Sequence, residues 1–241
     1  MIPKKIHYVW MGKGTKNELI SKCIESWKFF LPDYEIIEWN EDNFDINSNK
    51  FIKEAYENKK WAFVSDYIRL KVLYEHGGIY FDTDVEVIKS FDELLNVKSF
   101  IGFEDSIHLG TSVIAAEKKH RWIGELINYY SDQSIFNKSG NIKLTPNVVH
   151  ITSKTVEIYK LKLNNTSQNF NDELVVYNSS YFSPGLYSES KKSKLKKIKK
   201  QTYSIHHYDG SWLSKKDEFK ILAKKLVGYN NINRLKKILK G

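Results

Sequence analysis

"WAFVSDYIRLKVLYEHGGIYFDTDVEV", Trp61 to Val87, changes its hydrophobic period at the centre. Phe63, Tyr67, Leu70 and Tyr74 recur at helical spacing, so Trp61–His76 predicts an amphipathic helix of about four turns with Gly77 as its C-cap. On that helix Asp66 and Arg69 lie three residues apart and share a face. From Gly77 to Val87 the pattern becomes alternation, which predicts a strand. Ile79, Phe81, Thr83, Val85 and Val87 would form its core face, and Tyr80, Asp82, Asp84 and Glu86 the other.

The flanking segments extend this into an α/β pattern. "KKIHYVW" reads as a strand ended by Met11-Gly12-Lys13-Gly14, "NELISKCIESWKFF" as a helix stopped by Pro32-Asp33, and "YEIIEWN" as a second strand. The chain therefore begins strand, helix, strand, as parallel α/β sheets do. Further on, "SFIGFE", "TSVIAAE", "ELVVYN" and "YSIHHY" read as strands and "HRWIGELINYY" as a helix, while "TVEIYKLKL" fits either type. No internal repeat or long linker divides the chain.

Composition narrows the class. With 241 residues, 41% hydrophobic and 28% charged, the chain reads as one soluble globular domain and not as a disordered segment. No apolar run reaches the ~18 residues of a membrane span, and "MIPKKIHYVW" has no signal-peptide core. Cys23 is the single cysteine, so no internal disulfide is possible and a cytoplasmic location is expected. The net charge of +9 owes much to "KKSKLKKIKK" (Lys191–Lys200) and the C-terminal "NRLKKILKG".

In so basic a chain, three carboxylates on one strand face need compensation. Like charges repel, and partly buried carboxylates resist ionisation without a cation beside them. The alternative is a solvated acidic face on an exposed strand. An EF-hand loop is excluded because Val87 stands where its glycine should be. Oxygen ligands suit Mn²⁺ or Mg²⁺ better than zinc, and a metal held by two carboxylates usually completes its shell with substrate phosphates. A nucleotide diphosphate is the natural candidate.

Three separate blocks, "IPKKIHYVWMG", "WAFVSDYIRLKVLYEHGGIYFDTDVEV" and "IHHYDGSW", resemble the hallmark blocks of bacterial and fungal glycosyltransferases of family 32. These carry a DXD sugar-binding region and are related to the glucosyltransferase domains of large clostridial toxins. "CIESWKFFLPDYEIIEWNEDNFD" is similar to bacterial members from capsule and surface-polysaccharide loci. The resemblance implies a GT-A, Rossmann-like fold with a mainly parallel central sheet flanked by helices. That domain would span residues 1–213, with a basic amphipathic helical extension over 214–241.

The resemblance also assigns residues. Trp10 would stack on uracil with Val9 backbone close to the base. Asp66 and Arg69 would meet the donor sugar and its phosphates. Gly78 and Tyr80 would lie beside the sugar, Asp82 would face ribose and sugar, and Asp84 the metal. His207 would be the last protein ligand, giving a metal set of Asp82, Asp84 and His207. Ser211 and Trp212 would flank the diphosphate and the glycosidic oxygen. "LTPNVV" lacks the glycine of the family's Thr-Gly-Pro turn, and Thr111 and Ser112 receive no role.

The implied reaction is metal-dependent, retaining transfer of a hexose, glucose or galactose, from a UDP-sugar. The acceptor would be a hydroxyl of a glycan or lipid-linked glycan in surface-polysaccharide synthesis, or alternatively of a protein. Asp82, Asp84, Arg69 and Trp212 would carry the chemistry. "FKILAKKLVGYNNINRLKKILK" interleaves apolar residues with lysines and would lie on an anionic membrane at the inner face of the plasma membrane. A basic nucleic-acid-binding module would account for the charge but would set the acidic strand against phosphates, so no nucleic-acid partner is expected. A metal-dependent phosphoryl-transfer enzyme or nuclease would use the same carboxylates.

Overall fold

The computed structural model describes residues 1–142, 146–185 and 189–209. Met1–His207 form one unit, and a second begins at Tyr208. The extension expected over 214–241 lies outside the described residues.

Strand β1 (Lys5–Val9) runs into helix α1 (Glu18–Phe30) and then strand β2 (Glu35–Trp39). Asn17 caps α1 by accepting from the Ile20 N–H (2.9 Å). Helices α2 (Lys50–Glu57) and α3 (Trp61–His76) follow, leading into β3 (Gly78–Phe81) and β4 (Val85–Val87). The rest comprises β5 (Ser99–Phe103), β6 (Leu109–Ala116), α4 (Arg121–Asn128), α5 (Asn147–Tyr159), β7 (Gln168–Phe170), β8 (Leu174–Tyr177), α6 (Lys191–Leu195) and β9 (Ser204–His206).

Seven strands form one sheet in the order β2-β1-β3-β6-β5-β8-β7. Pairing is parallel for β1–β2, β1–β3 and β5–β8 and antiparallel for β3–β6, β5–β6 and β7–β8. Five of the seven strands thus point one way, with β6 and β7 reversed. The sheet is mainly parallel, as the resemblance implies. Alternation sorts its residues between two cores. Tyr80, Ile101, Ile114, Ala116, Leu174 and Val176 pack with α2, α3 and α4. Ile79, Phe81, Phe100, Val113, Ala115 and Val175 pack with α1 and β4. Covered on both faces, the sheet has no solvated acidic side.

The topology points to a ligand crevice. From β1 the chain crosses by α1 over one face to β2, then returns by α2 and α3 over the other face to β3, on the opposite flank of β1. The strand order reverses at the β1–β3 pair, and crevices in such sheets open beyond the C-terminal ends of the strands. Trp10 follows β1 at that end, and Asp82 follows β3.

Three expectations from the sequence change here. The predicted strand breaks: β3 stops at Phe81, Asp82 to Asp84 turn with the Val85 N–H donating to the Asp82 carbonyl (3.1 Å), and β4 leaves to pair with β9. Helix α3 is buried nearly all round, Val64, Asp66, Ile68, Arg69, Leu70, Val72 and Leu73 included, because it lies between the sheet and its neighbouring helices. Gly78 sits at the N-terminal end of β3, on the order of 13 Å of extended chain from Asp82. Its φ is +111°, and a Cβ there would come within 2.7 Å of the Lys5 carbonyl oxygen. Gly78 therefore lets β1 approach β3 and does not border the crevice.

His7 ties the same strands to α3. Its ring accepts from the Trp39 indole N–H at Nδ1 (3.0 Å) and donates from Nε2 to the Gly77 carbonyl (2.7 Å). Burial lowers its pKa to about 4, against the Gly77 hydrogen bond, so it is neutral at pH 7.

Gly78→Ala is expected to cost about 2 kcal/mol or more of stability, because strained φ and a backbone clash add together. Urea unfolding measures this, and the folded fraction should keep its affinity for divalent cations.

Candidate active site

The side chains at the crevice are organised by Arg69, which is only 4% exposed. Its Nη2 lies 3.0 Å from Asp66 Oδ1 and 3.2 Å from Asp82 Oδ1. Nη1 donates to the Thr111 carbonyl (2.6 Å), and Nε and Nη2 donate to the Ser65 carbonyl (3.2 Å) and hydroxyl (3.0 Å). The guanidinium carbon stands 4.6 Å over the Tyr80 ring, a cation–π contact. Tyr80 in turn donates its hydroxyl to Asp82 Oδ1 (2.9 Å). The i,i+3 pair read from the sequence is thus an interior network and not a surface ion pair.

Electrostatics follow from burial. Desolvation pushes the Asp66 carboxyl up to about 7, with Asp82 adding repulsion and Arg69 and Asn147 opposing it. Burial also disfavours the Arg69 charge, but Asp82, Tyr80 and Asp66 outweigh it and its pKa is raised. Sequence reasoning missed this floor. Thr111 contributes its carbonyl to Arg69 and its hydroxyl to Asn147 Oδ1 (3.2 Å), and Asn147 begins α5.

The second part of the site is the small sheet. Strands β4 and β9 are antiparallel, with Val85 opposite His206 and Glu86 opposite Ile205. The His207 N–H extends the ladder by donating to the Asp84 carbonyl (3.0 Å). Alternation then gives the two histidines different partners. His206 Nε2 lies 3.3 Å from Asp84 Oδ1, and His207 Nε2 lies 2.7 Å from Glu86 Oε2. One donor atom each from Asp82, Asp84 and His206 fall within 4.8 Å of one another. This corrects the expected set of Asp82, Asp84 and His207: His206 joins the aspartates, because His207 shares the face of Ile205 and Glu86. Burial opposes the His206 imidazolium, but Asp84, with Asp82 and Glu104, outweighs it and raises its pKa.

Two carboxylates and an imidazole are a fitting donor set for Mn²⁺ or Mg²⁺. Asp82 Oδ1 is already engaged by Arg69 and Tyr80, which leaves Oδ2 to face a cation.

Residues 17–101 match the family described as "Glycosyltransferase sugar-binding region containing DXD motif". The match covers less than half of the chain. It includes Asp66, Arg69, Asp82 and Asp84, while His206 lies outside it. The chain is similar to inositol phosphoceramide mannosyltransferase 3 of Schizosaccharomyces pombe, at 26% identity over 133 residues, covering 52% of this chain and 36% of that protein. It is also similar to lactosylceramide 4-alpha-galactosyltransferase of Mus musculus, at 32% identity over 71 residues, covering 30% of this chain and 19% of that protein. Among solved structures, PaToxG glycosyltransferase aligns with a TM-score of 0.49 and 20% identity, covering 65% of this chain and 69% of that one. The chain thus spans well under half the length of these curated relatives.

The structure brings Asp66, Arg69, Tyr80 and Asp82 of the matched segment into one network, with Asp84 beside His206. Trp10, half-buried, follows the buried Val9 at the end of β1. Its indole N–H donates to the Gly14 carbonyl (2.7 Å), and the Lys16 ammonium lies 5.3 Å from the ring centre. No contact joins Trp10 to the carboxylates among the described residues. Ser211 and Trp212 lie outside the described residues.

Removing Arg69 would leave two carboxylates facing each other in the interior. Arg69→Met is therefore expected to lose about 3–5 kcal/mol in urea unfolding. Arg69→Lys should restore only part, since a single ammonium cannot serve Ser65, Asp66, Asp82 and Thr111 together.

Proposed function

We propose that the chain transfers a hexose, glucose or galactose, from a UDP-sugar to a hydroxyl of a glycan or lipid-linked glycan in surface-polysaccharide synthesis. The observation that carries this reading is the convergence of Asp82, Asp84 and His206 beside the Arg69 network. It lies beyond the C-terminal end of β3, where crevices in such sheets open. The names of the curated relatives, transferases acting on inositol phosphoceramide and on lactosylceramide, favour a lipid-borne acceptor.

In this reading Asp82, Asp84 and His206 would hold Mn²⁺ or Mg²⁺, His206 through a neutral imidazole nitrogen. Such an ion would supply Lewis-acid stabilisation of charge on the departing diphosphate. Arg69 holds Asp82 in place by occupying Oδ1. Trp10 offers its indole face to the uracil ring at the end of β1. Asp66 and the Asn147 amide border the same buried floor, where Asn147 helps to lower the Asp66 pKa. In this reading both meet sugar hydroxyls. Trp212 and Ser211 would attend the diphosphate.

Retention follows front-face attack. The bond from the anomeric carbon to the UDP β-phosphate oxygen breaks, and the acceptor oxygen bonds to that carbon on the same face. The acceptor proton passes to the departing phosphate oxygen. Among the described residues no helix is long and apolar enough to cross a membrane. We place the chain on the cytoplasmic face of the plasma membrane, with the basic extension as one contact.

A screen of UDP-hexoses with Mn²⁺ tests this without an acceptor. One donor is expected to be hydrolysed in a metal-dependent manner. Asp84→Asn should lower the rate by more than the ~10–100-fold typical of residues that merely support a metal ligand. Full activity of Asp84→Asn in the presence of a chelator would refute the metal-dependent reading.

A further inference from the structure

The lysine-rich segment Lys191–Lys200 is unexplained by the donor site, yet several of its residues are tied to the rest of the chain. Ser190 caps α6, its hydroxyl accepting from the Ser193 N–H (3.2 Å). Lys194 turns inward and is only 4% exposed. Its ammonium donates to the His207 carbonyl (3.3 Å), and its stem packs where a Cβ on Gly185 would lie 2.4 Å from Cγ. At the far end the Lys199 N–H donates to the Thr202 hydroxyl (2.9 Å), which donates to the Ser180 carbonyl (2.7 Å). Lys197 is held by Glu189 at 2.7 Å.

This anchoring faces two apolar side chains outward. Leu195, the last residue of α6, is 46% exposed, and Ile198, three residues further along the chain, is 36% exposed. Exposed Lys192, Lys196, Lys199 and Lys200 surround them, and none has an ion-pair partner among the described residues. A merely solvated lysine run would not need an outward apolar pair. The segment also contains no aromatic residue, so it lacks the stacking surface on which single-stranded nucleic acids bind.

We infer that Lys192, Leu195, Lys196, Ile198, Lys199 and Lys200 form a docking surface for an anionic lipid bilayer. The lysines meet lipid phosphates, and Leu195 and Ile198 enter the headgroup boundary. The Lys194 hook on the His207 carbonyl, one residue from His206, couples this surface rigidly to the end of the molecule that carries Asp82 and Asp84. A membrane-borne acceptor would thereby be presented near the donor site. The inference rests on the proposed function only for that last point.

The test uses the full chain and sedimentation with phosphatidylcholine vesicles, with and without phosphatidylglycerol. Binding is expected only with the anionic lipid. A Lys192→Gln, Lys196→Gln, Lys199→Gln, Lys200→Gln variant should lose at least about tenfold in vesicle affinity. Leu195→Ser with Ile198→Ser should lose several-fold at unchanged charge. Stabilisation by UDP with Mn²⁺ in a melting scan, retained by both variants, shows that they fold. Failure of that stabilisation in the unsubstituted chain would count against the donor reading and leave the vesicle result standing. Vesicle binding that is absent from the unsubstituted chain, or unchanged in either variant, overturns the inference. So does loss confined to binding of a single-stranded oligonucleotide, which would assign the surface to nucleic acid.

Discussion

A guanidinium buried to 4% exposure must be met by anions and acceptors, or the fold cannot hold it. Arg69 satisfies that demand with the Asp66 and Asp82 carboxylates and with oxygens of Ser65 and Thr111. The network joins α3 to the C-terminal end of β3 and to β6, across the point where the strand order reverses. Its consequence for function is orientation. Asp82 is held by one oxygen, Oδ1, through Arg69 and Tyr80. An aspartate that must present one oxygen to a cation gains from such a fixed partner, because ligands positioned by surrounding groups lose less freedom on binding.

The remaining metal donors depend on a different device. β4 leaves the main sheet and pairs with β9, a segment more than a hundred residues later in the chain. The ladder carries His206 to Asp84. Glu86 pairs with His207 at 2.7 Å on the other face. That pair, with the His207 N–H on the Asp84 carbonyl, closes the end of the ladder next to the candidate ligands.

Local pattern carried much of this. The helix from Trp61 to His76, its stop at Gly77 and the strands flanking α1 were legible from periodicity and capping, because these depend on near neighbours in the chain. What was not legible depended on partners distant in sequence. The break after Phe81 has no local signal, since Thr83, Val85 and Val87 continue the alternation; the strand ends because β9 captures Val85–Val87. Gly78 shows the same limit. Glycine at a strand start reads equally as room for a ligand or room for another strand, and only the Lys5 carbonyl at 2.7 Å from a Cβ position distinguishes them. Choosing between His206 and His207 required the register of β9 against β4. Asn147 and Thr111, assigned no role from sequence, join the Arg69 floor through contacts between residues far apart in the chain.

The proposed function depends on a divalent cation held by Asp82, Asp84 and His206 at the end of β3. Anomalous diffraction from crystals grown with Mn²⁺ and UDP locates that ion. A single strong peak is expected within bonding distance of an Asp82 oxygen, an Asp84 oxygen and the His206 imidazole, with His207 still on Glu86. A manganese peak bonded to His207, or one away from Asp82 and Asp84, would contradict it.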